Sequence, residues 1–134
     1  MKEKEENWLL KNPRKLFLID GIGALVSAVL LGVVLVKLER FFGIPTPTLY
    51  LLALLPCLFF MYDAYGYFRV KHGLGKYLKG IAFLNLGYSL LSLALTFSHR
   101  HVITTLGWSY ILGEISIILI LVIVEFRIAN KQAT

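Results

Sequence analysis

Charged residues are scarce in this chain. They make up 16% of its 134 residues, whereas hydrophobic residues make up 57%. An ordinary soluble domain carries more charge and fewer apolar side chains, and here the apolar residues are also gathered into long runs. The composition therefore excludes a soluble globular protein and indicates an integral membrane protein. The length fits a single transmembrane domain over residues 1–134.

Cysteine is almost absent, and histidine is rare. The one cysteine, Cys57, can form neither an intramolecular disulfide nor a cysteine-based metal site, and we expect it to be a small buried apolar residue. His72 lies in one predicted loop, and His99 and His101 lie in a loop at the opposite end, so the three cannot meet within one protomer. No pair suits a haem at membrane depth. The sequence thus predicts no metal site and no cofactor.

Catalytic motifs are missing too. The chain has no Walker loop, GxSxG elbow, CxxC or HExxH. Its Gly21-Ile22-Gly23 segment lies inside a hydrophobic run, where helix packing explains it. Asp20 and Asp63 could form an intramembrane aspartyl pair, but the motifs expected around such a pair are absent. We therefore assign no catalytic residue and do not favour an enzyme.

Four hydrophobic runs are each long enough to cross a bilayer as a helix, which takes about 20 apolar residues. Pro56 falls inside the second run and is expected to bend that helix. The connections are short, with Gly73 and Gly75 as helix breakers in the second, so consecutive helices should be antiparallel neighbours. The predicted fold is an all-α membrane four-helix antiparallel bundle with spans at 16–38, 48–70, 79–98 and 102–126.

The basic residues set the expected orientation. Of the 14 lysines and arginines, all but Lys37, Arg40 and Arg100 fall in the two tails or around the second loop. The positive-inside rule then places both termini in the cytoplasm. The net charge of +6 suits contact with anionic lipid, and no aromatic-interleaved basic patch suggests nucleic acid.

Polar residues interrupt all four runs. At about 1.5 Å per residue, Asp20, Asp63 and Asn85 lie at similar depth in the cytoplasmic half, and Glu114 lies near the middle. Glu125 is near the cytoplasmic end of the fourth run, where we expect it to reach the lipid headgroups.

Helical spacing predicts that these polar residues face inward. Asp20 shares a face with small residues that allow close helix contact, and Asn85 begins a polar stripe along the third helix. Asp63 and Glu114 share their faces with glycines and tyrosines. The expected faces are Asp20 with Gly23, Ala24 and Ser27; Asp63 with Pro56, Gly66 and Tyr67; Asn85 with Tyr88, Ser89, Ser92 and Thr96; and Glu114 with Gly107 and Tyr110.

The negative charge of a carboxylate inside a span must be neutralised or balanced. An ionised carboxylate at the centre of a span costs about 2.5–3.5 kcal/mol, and no lysine or arginine lies deep in any run. The acids are therefore expected either to be protonated or to face a bound cation. The predicted ligand-binding residues are Asp20, Asp63, Asn85, Tyr88, Tyr110 and Glu114.

The sequence is compatible with three functions. The first is binding or transport of a proton, a cation or a cationic small molecule, for which a homodimer is expected because four short helices rarely enclose a full pathway. The second is a structural or accessory role in a larger membrane complex, with the acids as neutral hydrogen-bond partners between helices. The third is an enzyme acting on a lipid or isoprenoid, with Asp20 and Asp63 as general acid and base.

Three stretches carry a resemblance. They are LFLIDGIGALVSAVLLGVVLVKLE (16–39), LYLLALLPCLFFMYDAYGYF (49–68) and LGWSYILGEISIILILVIVE (106–125). Together they resemble a family of small bacterial four-helix membrane proteins. The resemblance implies a bacterial inner membrane and the pattern LIDG, YD and a glutamate in the fourth helix, and it implies no activity.

Overall fold

The described part of the chain is mostly helical. The computed structural model describes Trp8 and residues 11–132, with no side chain for Gln132, and it contains no strand in those residues. Lys2 and Lys4, which contribute to the predicted orientation, lie outside the described residues. In chain order the helices are α1 (Arg14–Lys37), α2 (Glu39–Phe42), α3 (Thr46–Phe68), α4 (Leu74–Ser98) and α5 (Thr105–Gln132).

Three of these helices, α1, α3 and α4, are long and apolar enough to cross a membrane. The prediction of an all-helical chain with apolar helices of membrane-spanning length is therefore confirmed. The surface agrees with it, since large apolar side chains cover the outside and most of the intramembrane polar groups are buried. Ile117, Met61 and Phe68, for example, are 69%, 66% and 74% exposed. Cys57 is exposed as well, so the expectation that it would be buried is wrong.

The helix ends differ from the predicted spans. Helix α4 starts at Leu74, directly after Gly73, whose φ of 72° is left-handed. Gly75 is buried inside the first turn of α4, so it is not the helix breaker that we predicted. Helix α5 extends to Gln132 and therefore carries Arg127, which we had placed in a tail.

Two close helix pairs make up the bundle. Helix α1 packs along α3 and α4 packs along α5, while contacts between the pairs are sparser. Glycines allow the first pair to approach closely. A Cβ on Gly32 would lie 3.1 Å from the Cβ of Ala53, and a Cβ on Gly66 would lie 2.7 Å from the ring of Phe17. The small residues of α1 and α3 are thus used mainly between these two helices.

Loop contacts join the pairs at one end. The Thr104 hydroxyl donates to the Phe41 carbonyl at 2.6 Å, and the Thr104 N–H donates to the Phe42 carbonyl at 3.1 Å. Gly43 ends α2 with a φ of 73°, and a Cβ there would overlap the Val102 carbonyl. The first and third loops are therefore packed directly against each other.

Two irregularities lie on the helices that border the interior. Leu30–Val34 of α1 form a π-helical turn, a feature often found near functional sites. Helix α3 continues as one helix through Pro56, which is buried and supplies no N–H to the preceding turn. Both lie beside the cavity described below.

Candidate functional site

Three carboxyl groups from three helices meet in the interior. Asp20 of α1, Asp63 of α3 and Glu125 of α5 are 3%, 1% and 0% exposed. The Asp20 carboxyl lies within hydrogen-bonding reach of the carboxyls of both Asp63 and Glu125. We call these three residues, together with Asn85 of α4, the carboxyl cluster.

Asn85 is the amide donor of the carboxyl cluster. Its Nδ2 donates to Asp20 Oδ1 at 2.7 Å and, more weakly, to Glu125 Oε1 at 3.4 Å. The other four carboxyl oxygens are buried and receive no hydrogen bond from an N–H or hydroxyl group. Two adjacent carboxyl groups can hydrogen-bond only when one of them carries a proton. The cluster therefore requires protons or another cation between its oxygens.

Glu125 is the member that the sequence analysis missed. We expected it to reach the headgroups, but it is fully buried, because α5 continues for seven further residues and carries Glu125 into the bundle. A signal was present in the sequence. Glu114 and Glu125 are 11 positions apart, close to three helical turns, so they share one face of α5.

Glu114 belongs to a second polar group, which lies one helical turn or more from the carboxyl cluster. The Tyr88 hydroxyl donates to Glu114 Oε1 at 2.6 Å, and the hydroxyls of Tyr110 and Ser27 are close neighbours of the same carboxyl. Glu114 Oε2 is buried and accepts no hydrogen bond. The ring of Phe59 packs edge-on against Tyr88, with 6.0 Å between ring centroids. We call Glu114, Tyr88, Tyr110 and Ser27 the Glu114 group.

One cavity of about 490 Å³ connects the two groups. It lies between α1, α4 and α5, with Pro56 and Phe59 of α3 also contributing to its wall. Of the six residues predicted to bind a ligand, the cavity is lined by Asp20, Asn85, Tyr88, Tyr110 and Glu114. Asp63 is not among the lining residues, although it contacts Asp20 from the α3 side. The structure therefore brings all six into two adjoining polar groups.

The cavity opens sideways, between α1 and α5. Gly23 of α1 and Gly113 of α5 line it, are exposed, and would have no neighbour within 4 Å of an added Cβ. We had expected the face of Gly23 to make close helix contact, and for Gly23 this is wrong. The glycine that packs closely is Gly21, where a Cβ would lie 3.3 Å from that of Asp63.

Neither metal ligation nor similarity to known proteins identifies the site. Within residues 11–132 and Trp8, no group of three histidine, cysteine, aspartate or glutamate side chains is placed to hold a metal ion. No protein-family model, curated protein or solved structure matches the chain. The geometry of the cavity and its carboxyl groups is therefore what points to a function.

Proposed function

We propose that this chain is a bacterial inner-membrane protein that binds a cationic small molecule at its intramembrane carboxyl groups, with protons held there when the cation is absent. One observation carries the proposal. Asp20 is 3% exposed, its Oδ2 accepts no hydrogen bond from an N–H or hydroxyl group, and its side chain lines the cavity. A buried carboxyl in that position favours a positively charged ligand.

The lysines and arginines that the structure describes are all at least partly exposed. Arg14 lies nearer the helix ends, where it donates to the carbonyls of Gly66 and Tyr67. A volume of about 490 Å³ suits an organic molecule better than a single metal ion, since small-molecule sites span roughly 300–1,000 Å³.

The proposal includes α5 as a fourth span and both termini in the cytoplasm. Cysteine labelling in intact cells tests this topology on a Cys57→Ser background. We expect a membrane-impermeant maleimide to label His101→Cys from the outside and to leave His72→Cys unlabelled until the cells are opened. Labelling of both positions, or of His72→Cys alone, would contradict the orientation.

Binding is tested on purified protein in lipid nanodiscs by titration calorimetry. The probes are ethylammonium and tetraphenylphosphonium. We expect at least one probe to bind, and Asp20→Asn and Glu114→Gln each to weaken that binding at least tenfold. Glu39→Gln is the control, because Glu39 is an exposed acid outside the cavity. Circular dichroism and gel filtration check that each variant is folded. Absence of binding by every probe, or unchanged affinity in both carboxyl variants, would refute the proposal.

A structural role is the second candidate, and the Glu114 group is the observation in its favour. Tyr88, Tyr110 and Ser27 surround the Glu114 carboxyl with hydroxyl groups from three helices, an arrangement that also suits a neutral hydrogen-bond contact within the bundle. The same titrations separate the two functions. If no probe binds and the carboxyl variants only lose stability, the acids join helices, and a partner complex is expected. A lipid-modifying activity has no observation in its favour.

A further inference from the structure

The opening of the cavity lies at a depth where only lipid would be found. Gly23 is nine residues from the start of α1, and Gly113 is eight from the start of α5, so both are roughly 12–14 Å along their helices. Val26 and Ile117, at the same rim, are 51% and 69% exposed. The opening therefore faces the hydrocarbon layer of a membrane that the helices cross.

Apolar side chains are buried at both ends of the bundle in the described residues. Leu16 and Ile128 are 1% and 0% exposed at the end that holds the carboxyl cluster. Ile44 and Ile103 are 1% and 8% exposed at the other end, where the loops pack against each other. A ligand thus has a more direct route through the side of the bundle than along its axis.

The cavity wall selects the chemistry of the ligand. It is largely apolar, and the aromatic rings of Phe59, Tyr88 and Tyr110 form part of it. A strongly hydrated cation would lose its water there and gain few replacement contacts. A cation with an apolar body is weakly hydrated, so it loses little hydration on entering the cavity. It gains burial of its apolar surface, contacts with the faces of the aromatic rings and a carboxyl group as partner.

From these observations we infer that the ligand is a lipophilic organic cation with one positive charge, which enters from the bilayer between Gly23 and Gly113 and rests against Glu114. The inference rests on the proposed function and names the ligand class and its route. Two buried carboxyl oxygens that accept no hydrogen bond from an N–H or hydroxyl group support it independently of the glycines. Glu114 Oε2 is buried next to the opening, and Asp20 Oδ2, on a side chain that is 97% buried, lies deeper in the same cavity.

Leucine at the rim tests the route without disturbing the packing. Gly113→Leu and Gly23→Leu place a side chain in open space that borders the cavity. Gly87→Leu is the matched control, because Gly87 also has no neighbour within 4 Å of an added Cβ but is exposed on α4 away from the cavity. Having two rim variants keeps the test decisive if one of them does not fold.

The measurement is the affinity of nanodisc-embedded protein for tetraphenylphosphonium, with ethylammonium as the hydrophilic probe. We expect tetraphenylphosphonium to bind at least tenfold more tightly than ethylammonium. Each folded rim variant should lower its affinity at least tenfold, and Gly87→Leu should change it less than twofold.

Each other outcome is informative. If ethylammonium binds in a carboxyl-dependent manner and tetraphenylphosphonium does not, this inference fails and the proposed function stands. If no probe binds, both fail. Unchanged affinity in the rim variants would refute the lateral route. A wild-type dimer that the rim variants convert to monomer, with unchanged affinity, would show that a second copy covers the opening instead.

Discussion

Asn85 should contribute more to stability than any other polar residue on its face of α4. We consider Asn85→Leu, which keeps the approximate volume of the side chain and removes both hydrogen bonds to the carboxyl cluster. Hydrogen bonds between helices in membranes average about 0.6 kcal/mol and reach about 1.7 kcal/mol. The 2.7 Å bond to Asp20 belongs at the upper end, and the 3.4 Å bond to Glu125 near the average. The expected loss is about 2 kcal/mol in the free energy of unfolding, roughly a thirtyfold change in the equilibrium constant.

Ser92→Ala is the control on the same face. Ser92 lies two turns along α4, is 0% exposed, and its hydroxyl has no hydrogen-bond partner. Removing a buried unsatisfied hydroxyl should leave stability unchanged or raise it slightly. Both variants would be unfolded reversibly by denaturing detergent in bicelles, with tryptophan fluorescence as the probe. If Asn85→Leu were no less stable than Ser92→Ala, the carboxyl cluster would not depend on its amide donor, and our account of it would be wrong.

Three further variants test other contacts. Gly66→Ala places a Cβ 2.7 Å from an aromatic ring of α1, so we expect the free energy of unfolding to fall by about 1–3 kcal/mol in the same assay. Gly87→Ala is the control and should not be destabilised, because its Cβ would meet no neighbour. Tyr88→Phe removes a 2.6 Å bond to a carboxyl of α5 and should cost about 1 kcal/mol; equal stability of this variant and the exposed-site control Tyr65→Phe would contradict it. Thr104→Val removes the hydroxyl that joins the first and third loops. The rate of amide hydrogen exchange should therefore rise in both loops. Unchanged exchange would show that the backbone hydrogen bond from Thr104 is enough to hold the loops together.

Much of the interior follows from depth and helical spacing. Asp20, Asp63 and Asn85 were predicted at similar depth and on inward faces, and the structure brings all three into contact. The stripe from Asn85 to Thr96 is buried as expected, because its members recur at three- and four-residue intervals on one side of a helix. Each of these predictions uses the depth and periodicity of residues within a single helix.

Sequence reasoning missed two features, for different reasons. The burial of Glu125 depends on where α5 ends, and hydrophobicity alone placed that end too early. The opening at Gly23 depends on the distance between α1 and α5. A glycine on a helix face permits close packing, but it does not identify the neighbour, and here close packing occurs at Gly21, Gly32 and Gly66 instead.

The carboxyl cluster also has a consequence for how the chain is made. Asp20 and Asp63 lie in the first half of the sequence, whereas Asn85 and Glu125 arrive later, and Glu125 almost last. A growing chain that has only α1 and α3 in place carries Asp20 and Asp63 without the Asn85 amide that hydrogen-bonds to Asp20. Completion of α5 is then the step that finishes the polar centre. A chain truncated before Glu125 would keep Asp20, Asp63 and Asn85 but lack the third carboxyl of the cluster.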